Sequence, residues 1–226
     1  MQILYEDNHI IAVNKFNGEL VQGDKSGDSS LDKEVKEYIK KKYKKPGDVY
    51  LGVVHRLDRP VSGIVIFART SKALTRLNKM FQEHQIRKTY WAVVGTRPDK
   101  ESGELVHHML RNAEKNKSTA HISPKRGTKE ARLKYELLGV TNNFFLLEVD
   151  LLTGRHHQIR SQLSRIGCSI KGDLKYGSRR SNPGGGIHLH ARKVKFIHPV
   201  SKEEIEIIAS PPQDPLWQEF IDQQGG

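Results

Sequence analysis

Two short apolar runs, residues 49–54 and 63–68, flank a polar loop, and this arrangement constrains the fold more than any other stretch. Both runs are rich in β-branched residues and predict two buried strands. The loop carries one carboxylate, Asp58, between Arg56 and Arg59. A short loop anchored by two strands can hold a side chain rigidly, as a nucleophile or a general base requires. Asp58 is therefore a candidate catalytic group, although a turn residue that bonds its own backbone is the ordinary alternative.

The rest of the chain predicts an α+β fold with a mixed, mainly antiparallel sheet and packed helices. Turn signals join residues 3–5 to 9–13 and residues 132–140 to 144–151, which predicts hairpins. Helices are predicted with apolar stripes at 31–39 and at 74–84, with Ser71 as the cap of the second, and a third helix is predicted from an N-cap at Thr153. Without a fixed-period repeat or a long linker, we expect a single catalytic domain over residues 1–226, with no accessory domain before its first strand.

Charge and cysteine content limit the class of partner and the compartment. The chain has 38 Lys and Arg against 26 acidic residues, a formal charge of +12, which favours a polyanion such as nucleic acid but leaves RNA, DNA and an anionic membrane surface open. Cys168 is the only cysteine, so no intramolecular disulfide is possible. With no signal-peptide pattern and no apolar run of membrane-spanning length, we expect a cytoplasmic protein.

Five motifs in order resemble those of the RluA-type pseudouridine synthases. The sequence His55-Arg56-Leu57-Asp58-Arg59-Pro60-Val61-Ser62-Gly63 is similar to the family's H-R-L-D-x-x-(T/S)-S-G motif. The other four are Lys88-x-Tyr90, Thr153-Gly154-Arg155-x-His157-Gln158-Ile159-Arg160, Gly172-Asp173-x-x-Tyr176-Gly177, and His190-Ala191 before His198-Pro199. Val61 departs from the family, which more often has Thr there, and this leaves the hydrogen bonding of the loop in doubt.

The resemblance implies a pseudouridine-synthase-like catalytic domain that isomerises uridine in RNA without cofactor or metal. The base would be detached from C1′ of its ribose, rotated and rejoined through C5. By resemblance Asp58 is the catalytic carboxylate, and Arg160 is its ion-pair partner, since a guanidinium in contact with a carboxylate favours the charged form. Whether Asp58 attacks C1′, attacks the base or abstracts a ribose proton stays open.

The resemblance also gives roles to residues that would bind the RNA. Tyr90 would stack on the extruded uracil, with proton abstraction from C5 as a second role, and Leu189 would wall the pocket. Arg56 would fill the gap that the extruded base leaves in the RNA. Lys44, Lys45 and Arg155 would contact phosphates, although lysines at the end of a helix also suit its C-terminal dipole.

Other functions fit the sequence less well. A non-catalytic RNA-binding or ribosome-assembly protein would not need a carboxylate facing RNA, and a nuclease would need a cluster of acids for metal ions. His188-x-His190 points two imidazoles to one strand face, but a third metal ligand is not identifiable. The phosphate-loop and nucleophile-elbow motifs are absent from the sequence. We expect a monomer whose partner is ribosomal or transfer RNA, with the RNA and its target position left open.

Overall fold

The computed structural model of the chain describes residues 1–23 and 27–225. The chain divides into two compact units. The first unit consists of Met1–Ile86 and Ala191–Ser210, and the second of Arg87–His190 and Pro211–Gly226.

The secondary structure is numbered here in chain order. The strands are β1 (Gln2–Glu6), β2 (Ile10–Lys15), β3 (Gly52–Val53), β4 (Ser62–Ala68), β5 (Arg87–Val94), β6 (Ser102–Asn112), β7 (Lys117–His121), β8 (Lys129–Val140), β9 (Phe145–Leu151), β10 (Leu189–Ile197) and β11 (Glu204–Ile208). The α-helices are α1 (Leu31–Lys42), α2 (Ser71–Gln82), α3 (Gln158–Arg165) and α4 (Pro215–Gln223).

The first unit is built on antiparallel pairs. β1 and β2 form the predicted hairpin, and β2 pairs with β4 along its whole length. The turn between β1 and β2 is closed by Asp7, whose Oδ1 accepts from the main-chain N–H groups of His9 and Ile10 at 2.7 and 2.8 Å. β10 pairs with β11, and α2 packs its buried Leu77 into an aliphatic core with Ile64 and Ile66 of β4.

Three predictions for the first unit are wrong in detail. Of the run 49–54, only Gly52 and Val53 form a strand, because β3 pairs with just the last two residues of β4. The cap of α2 is Thr70 rather than Ser71, since the Thr70 hydroxyl accepts from the Ala73 N–H at 3.1 Å. His84 lies beyond the end of α2, exposed and in the left-handed region, so it is not part of the buried stripe.

The second unit contains an antiparallel sheet in the order β5-β9-β8-β6-β7. Within this sheet the eleven-residue strand β6 buries His107 and Met109 on one face. The N-cap of α3 is His157 rather than the predicted Thr153, so the helix begins at Gln158. The physical reason is a bend at residues 152–157, in which the Thr153 hydroxyl bonds the Gln158 side chain at 2.8 Å and His157 adopts φ 52°.

The structure confirms the predicted fold class, since all the strand pairings given above are antiparallel and helices accompany both units. Apolar residues of β5, β9 and α4 form a core in the second unit, around Trp91, Leu146 and Trp217. Among residues 1–23 and 27–225, no helix has the length and apolar character needed to span a membrane.

Candidate active site

The main chain of the Asp58 loop is held by a lysine inside the first unit. Lys15, the last residue of β2, is fully buried, and its ammonium donates to the carbonyl oxygens of Phe16, Asp58, Arg59 and Val61 at 3.0, 3.3, 3.1 and 2.6 Å. Burial lowers the pKa of Lys15 to about 8, and the nearby carboxylates of Glu19 and Asp58 act in the opposite direction. One cation thus fixes the path of the loop through its carbonyl groups and lies near its carboxylate.

Further contacts fix both ends of the loop. His55 accepts the main-chain N–H of Ile66 in β4 at 3.0 Å and stacks on Phe81, with ring centroids 4.9 Å apart. Arg59 pairs with Asp28 at 2.8 Å and donates from Nε to the Gly18 carbonyl at 3.0 Å. Leu57 is buried and Asp58 is half-buried. The loop is therefore tied to β4, to α2 and to the segment after β2.

Gly63 ends the loop at a place where no side chain fits. Its φ is +114°, and a Cβ there would collide with the main chain of Ala191, at 2.5 Å from the nitrogen and 2.8 Å from the carbonyl carbon. Both the backbone angle and the close approach require glycine. The loop therefore enters β4 against the main chain of β10 within the same unit.

Val61, the departure from the family motif, takes part in the loop through its main chain. Its N–H donates to the Asp58 carbonyl at 3.0 Å, and its own carbonyl accepts the shortest bond from Lys15. The isopropyl group is buried. Both hydrogen bonds use main-chain atoms of Val61, so neither requires the side-chain hydroxyl that Thr would supply.

The other predicted residues of the first unit lie at its surface. Arg56 is exposed, as are Lys44 and Lys45 just beyond the end of α1. This end of α1 is anchored by the carboxylate of Glu6, which accepts from the Tyr38 hydroxyl, from Lys42 at 2.7 Å, from the Tyr43 hydroxyl at 2.8 Å and from Arg69 at 3.1 Å. The two lysines are therefore cations presented by a fixed helix end.

Tyr90, Leu189, Arg155 and Arg160 belong to the second unit. Tyr90 is a buried residue of β5, paired with Val149 of β9, and Leu189 is the buried first residue of β10. Arg155 is exposed, and its Nε donates to the Glu130 carbonyl at 2.9 Å. Exposure and the main-chain anchor are compatible with a phosphate contact for Arg155.

Arg160 is buried in α3 and is paired with a carboxylate that sequence reasoning did not assign. Its Nε donates to Oδ2 of Asp173 at 2.7 Å, and its Nη2 donates to Oδ1 at 2.9 Å. The two side chains are 6% and 1% exposed. A parallel pair of charge-assisted bonds fixes the plane of the guanidinium as well as its position. Asp173 lies in one of the five motifs, which is the signal that could have found it.

Lys15 was also missed, and the sequence held little to reveal it. A lysine at the end of an apolar run usually marks the point where a strand reaches solvent. Here β2 is buried over all six residues, so the ammonium has to find its acceptors inside the protein. The loop carbonyls supply them, which only the folded structure shows.

The histidine pair near Leu189 does not form a metal centre in the described part of the chain. Nδ1 of His188 lies 2.9 Å from the Asn182 amide nitrogen, and Nε2 of His188 lies 3.2 Å from a carboxylate oxygen of Asp214. Burial, assisted by Lys171, lowers the pKa of His188, while Asp214 opposes the shift. Within residues 1–23 and 27–225, no group of three or more His, Cys, Asp and Glu side chains is placed to hold a metal ion.

Comparison with known proteins shows what the chain is similar to. Residues 9–165 match the profile of the family described as RNA pseudouridylate synthase. Ribosomal large subunit pseudouridine synthase C of Rickettsia bellii is 33% identical over 212 residues, which are 93% of this chain and 68% of that protein. The tRNA pseudouridine synthase C of Vibrio parahaemolyticus is 29% identical over 239 residues, 98% of this chain and 94% of that protein.

A solved structure shares the fold. The human RNA Pseudouridylate Synthase Domain Containing 4 superposes with a TM-score of 0.81 at 21% identity, covering 98% of this chain and 92% of that one. The resemblance to RluA-type enzymes and the pseudouridine-synthase-like fold are thus confirmed. On the profile match and the identity to its relatives, the chain belongs to the RNA pseudouridylate synthase family, whose members are isomerases.

Proposed function

We propose that this protein converts uridines of ribosomal or transfer RNA to pseudouridine, and that both units together form one catalytic domain. The observation that carries the proposal is the Asp58 loop, which matches the family motif and is fixed through its main chain by Lys15. The relatives named as pseudouridine synthases of the ribosomal large subunit and of tRNA supply the two RNA classes. We further propose that it acts as a cytoplasmic monomer without metal or cofactor.

The reaction breaks one bond to the ribose and makes another. The N1–C1′ bond of uridine is broken, the uracil rotates, and C5 bonds to C1′. C5 loses its hydrogen as a proton, and N1 gains a proton, so the product is an isomer of the substrate. Asp58 is the carboxylate beside the reacting atoms.

Arg160 is proposed as the ion-pair partner of that carboxylate. A guanidinium has five N–H donors, and the pair with Asp173 takes two of them. Arginine suits a position that serves two carboxylates because its fork is planar and its charge is permanent. Tyr90 is proposed to stack on the extruded uracil and Leu189 to wall the pocket, in line with the buried ring and the buried isobutyl group.

Binding of the RNA is proposed to rest on the exposed cations. Lys44, Lys45 and Arg155 contact phosphates, which position the RNA without reading its sequence. The target uridine has to leave its stack, at a cost of a few kcal/mol. Arg56, exposed in the motif loop, is proposed to stack in the gap that remains.

The proposal is tested with RNA labelled with tritium at C5 of uridine and prepared from cells that lack this gene. The wild-type protein should release tritium to water, because bond formation at C5 displaces that hydrogen. Asp58→Asn should abolish release and leave RNA binding intact. Asp48→Asn removes the charge of an exposed aspartate in the same unit and should behave as wild type.

Two results would contradict the proposal. Tritium release by Asp58→Asn at the wild-type rate would mean that Asp58 has been misassigned. A wild-type protein that binds the labelled RNA but releases no tritium would favour the alternative of a non-catalytic RNA-binding protein. Mapping of pseudouridines in the treated RNA then identifies the target position.

A further inference from the structure

Arg160 is contacted on two sides by residues of one short segment, 172–177. Asp173 pairs with it through two parallel hydrogen bonds, and the Tyr176 ring centroid lies 5.0 Å from the guanidinium carbon. The pair fixes the plane of the guanidinium, and the aromatic face attracts its charge. Asp173 and Tyr176 are both buried, so these contacts are shielded from water.

Tyr176 is itself fixed at its hydroxyl and at its main chain. The hydroxyl accepts the main-chain N–H of Ser118 at 2.8 Å and lies 2.9 Å from Nδ1 of His157, which precedes α3. Its carbonyl accepts from the Ser169 hydroxyl at 2.7 Å. The ring is therefore a rigid support rather than a side chain that adapts to the arginine.

The segment between two glycines is shaped to present both groups together. Residues 174–176 form a 3-10 turn in which the Tyr176 N–H donates to the Asp173 carbonyl at 3.0 Å. Gly172 and Gly177 have φ of +88° and +100°. A Cβ at Gly172 would collide with the Asn182 amide, and one at Gly177 would lie 2.9 Å from the Ser169 hydroxyl. Neither position tolerates a side chain, so the turn geometry is set by the glycines.

Stability alone gives a weak reason for such an arrangement. Burial of an ion pair costs desolvation that roughly cancels the attraction, and apolar side chains of similar size are often equally stable. What the pair does provide is a single orientation of a buried cation. From this geometry we propose that Asp173 and Tyr176 are positioning residues, which act on the reaction by holding the guanidinium of Arg160 in its working orientation.

The inference rests on the proposed function, because it assigns Asp173 and Tyr176 an effect only through the role proposed for Arg160. Asp173→Asn keeps the size of the side chain but removes one acceptor and the charge. It should lower kcat about 10- to 100-fold, since misplacement of a catalytic partner by about 1 Å has an effect of this size. KM for the labelled RNA should change less than about 3-fold, because residues that only bind RNA are untouched.

A double-mutant cycle separates positioning from general loss of structure. Arg160→Lys removes the fork that Asp173 orients, so Asp173→Asn in that background should lower kcat by less than about 3-fold. Tyr176→Phe keeps the ring but removes both hydrogen bonds of the hydroxyl, and should lower kcat about 3- to 10-fold. It serves as the second variant if Asp173→Asn does not fold, which thermal denaturation shows.

The matched control is Glu104→Gln in the same unit. Glu104 pairs with Arg132 at 2.6 and 2.9 Å on the surface, so its replacement tests whether removal of any carboxylate from a guanidinium affects kcat. It should leave kcat within about 2-fold of wild type, as expected for an exposed pair.

Three outcomes overturn the inference. The first is a folded Asp173→Asn variant with wild-type kcat. The second is a double mutant whose fold-loss in kcat equals the product of the two single-mutant losses. The third is an Asp173→Asn variant with raised KM and unchanged kcat. If the wild-type protein releases tritium while any of these holds, the inference alone fails. If the wild-type protein releases none, the proposed function fails and this inference fails with it.

Discussion

The Asp58 loop of the first unit and the Arg160 cluster of the second hold a charged group by opposite means. The loop is held through its main chain by Lys15, which donates to three of its carbonyl oxygens, those of Asp58, Arg59 and Val61. Arg160 is held through side chains, by the carboxylate of Asp173 and the ring of Tyr176. The bonds from Lys15 do not depend on the side chains of their acceptor residues, whereas the contacts to Arg160 depend on the identity of Asp173 and Tyr176.

The contrast also determines what a sequence reveals. A side-chain support leaves fixed residue types at fixed spacing, as Asp173 and Tyr176 do between two glycines. A main-chain support is visible in the sequence only as a single lysine at the end of an apolar strand. The two supports should therefore respond differently to substitution, which the following variants examine in order of expected effect.

Gly63→Ala should be the most destabilising change in the Asp58 loop. The new Cβ meets the main chain of Ala191, which cannot move aside as a flexible side chain would, and the positive φ adds strain. The free energy of unfolding should fall by about 3–5 kcal/mol in urea denaturation. Gly127→Ala is the matched control in the second unit, since its φ is +80° but its nearest neighbour lies 3.7 Å away. Equal losses for the two variants would show that the close approach contributes nothing.

Lys15→Met should reveal how much the main-chain support contributes. The variant keeps the length of the side chain and removes the ammonium from four carbonyl groups. Loss of partners for buried acceptors should lower the free energy of unfolding by about 2–4 kcal/mol, and tritium release should fall with it. Lys72→Met removes an exposed lysine of α2 and should change neither quantity. A Lys15→Met protein as stable as wild type would refute the role assigned to this lysine.

The proton of Lys15 gives the first unit a distinct pH dependence. Burial lowers the pKa of Lys15 to about 8, below its ordinary value near 10.5. Between these values the unfolded chain holds the proton and the folded chain does not. The free energy of unfolding should therefore rise with pH in this interval, by at most about 1.4 kcal/mol per pH unit. Urea denaturation at about pH 7.5 and about pH 9.5, on either side of the folded-state pKa, should show this rise in wild type relative to Lys15→Met. If the free energy of unfolding depends on pH identically in wild type and Lys15→Met, the proton of Lys15 does not contribute to this rise.

The exposed lysines should affect binding and leave both supports intact. Replacing Lys44 and Lys45 together by Ala should leave the free energy of unfolding unchanged, because both side chains are exposed. The dependence of RNA affinity on salt should become shallower by about 0.7–0.9 in log–log slope for each phosphate that the variant no longer neutralises. A slope equal to that of wild type, measured by titration from low to high salt, would remove these residues from the proposed RNA surface.

The sequence predicted the fold class and the residues with family motifs because hydrophobic periodicity and fixed motifs are local signals. The bend before α3 was not predicted, since Thr153 looks like an N-cap until its hydroxyl is seen to bond Gln158. The length of strand β3 was overestimated because an apolar run does not show how many residues of a neighbouring strand are available to pair with it. The pairing of Arg160 with Asp173 joins side chains from separate segments, which periodicity does not encode.

The bonds from Lys15 have a consequence for how this loop can change during evolution. Every amino acid supplies the same carbonyl oxygen, so the bonds from Lys15 to residues 58, 59 and 61 persist whichever side chains those residues carry. Val61 accepts the shortest of those bonds while carrying a side chain other than the Thr more often found in RluA-type enzymes. Close to the candidate catalytic aspartate, the two bonds that fix the backbone at position 61 therefore do not depend on the side chain there.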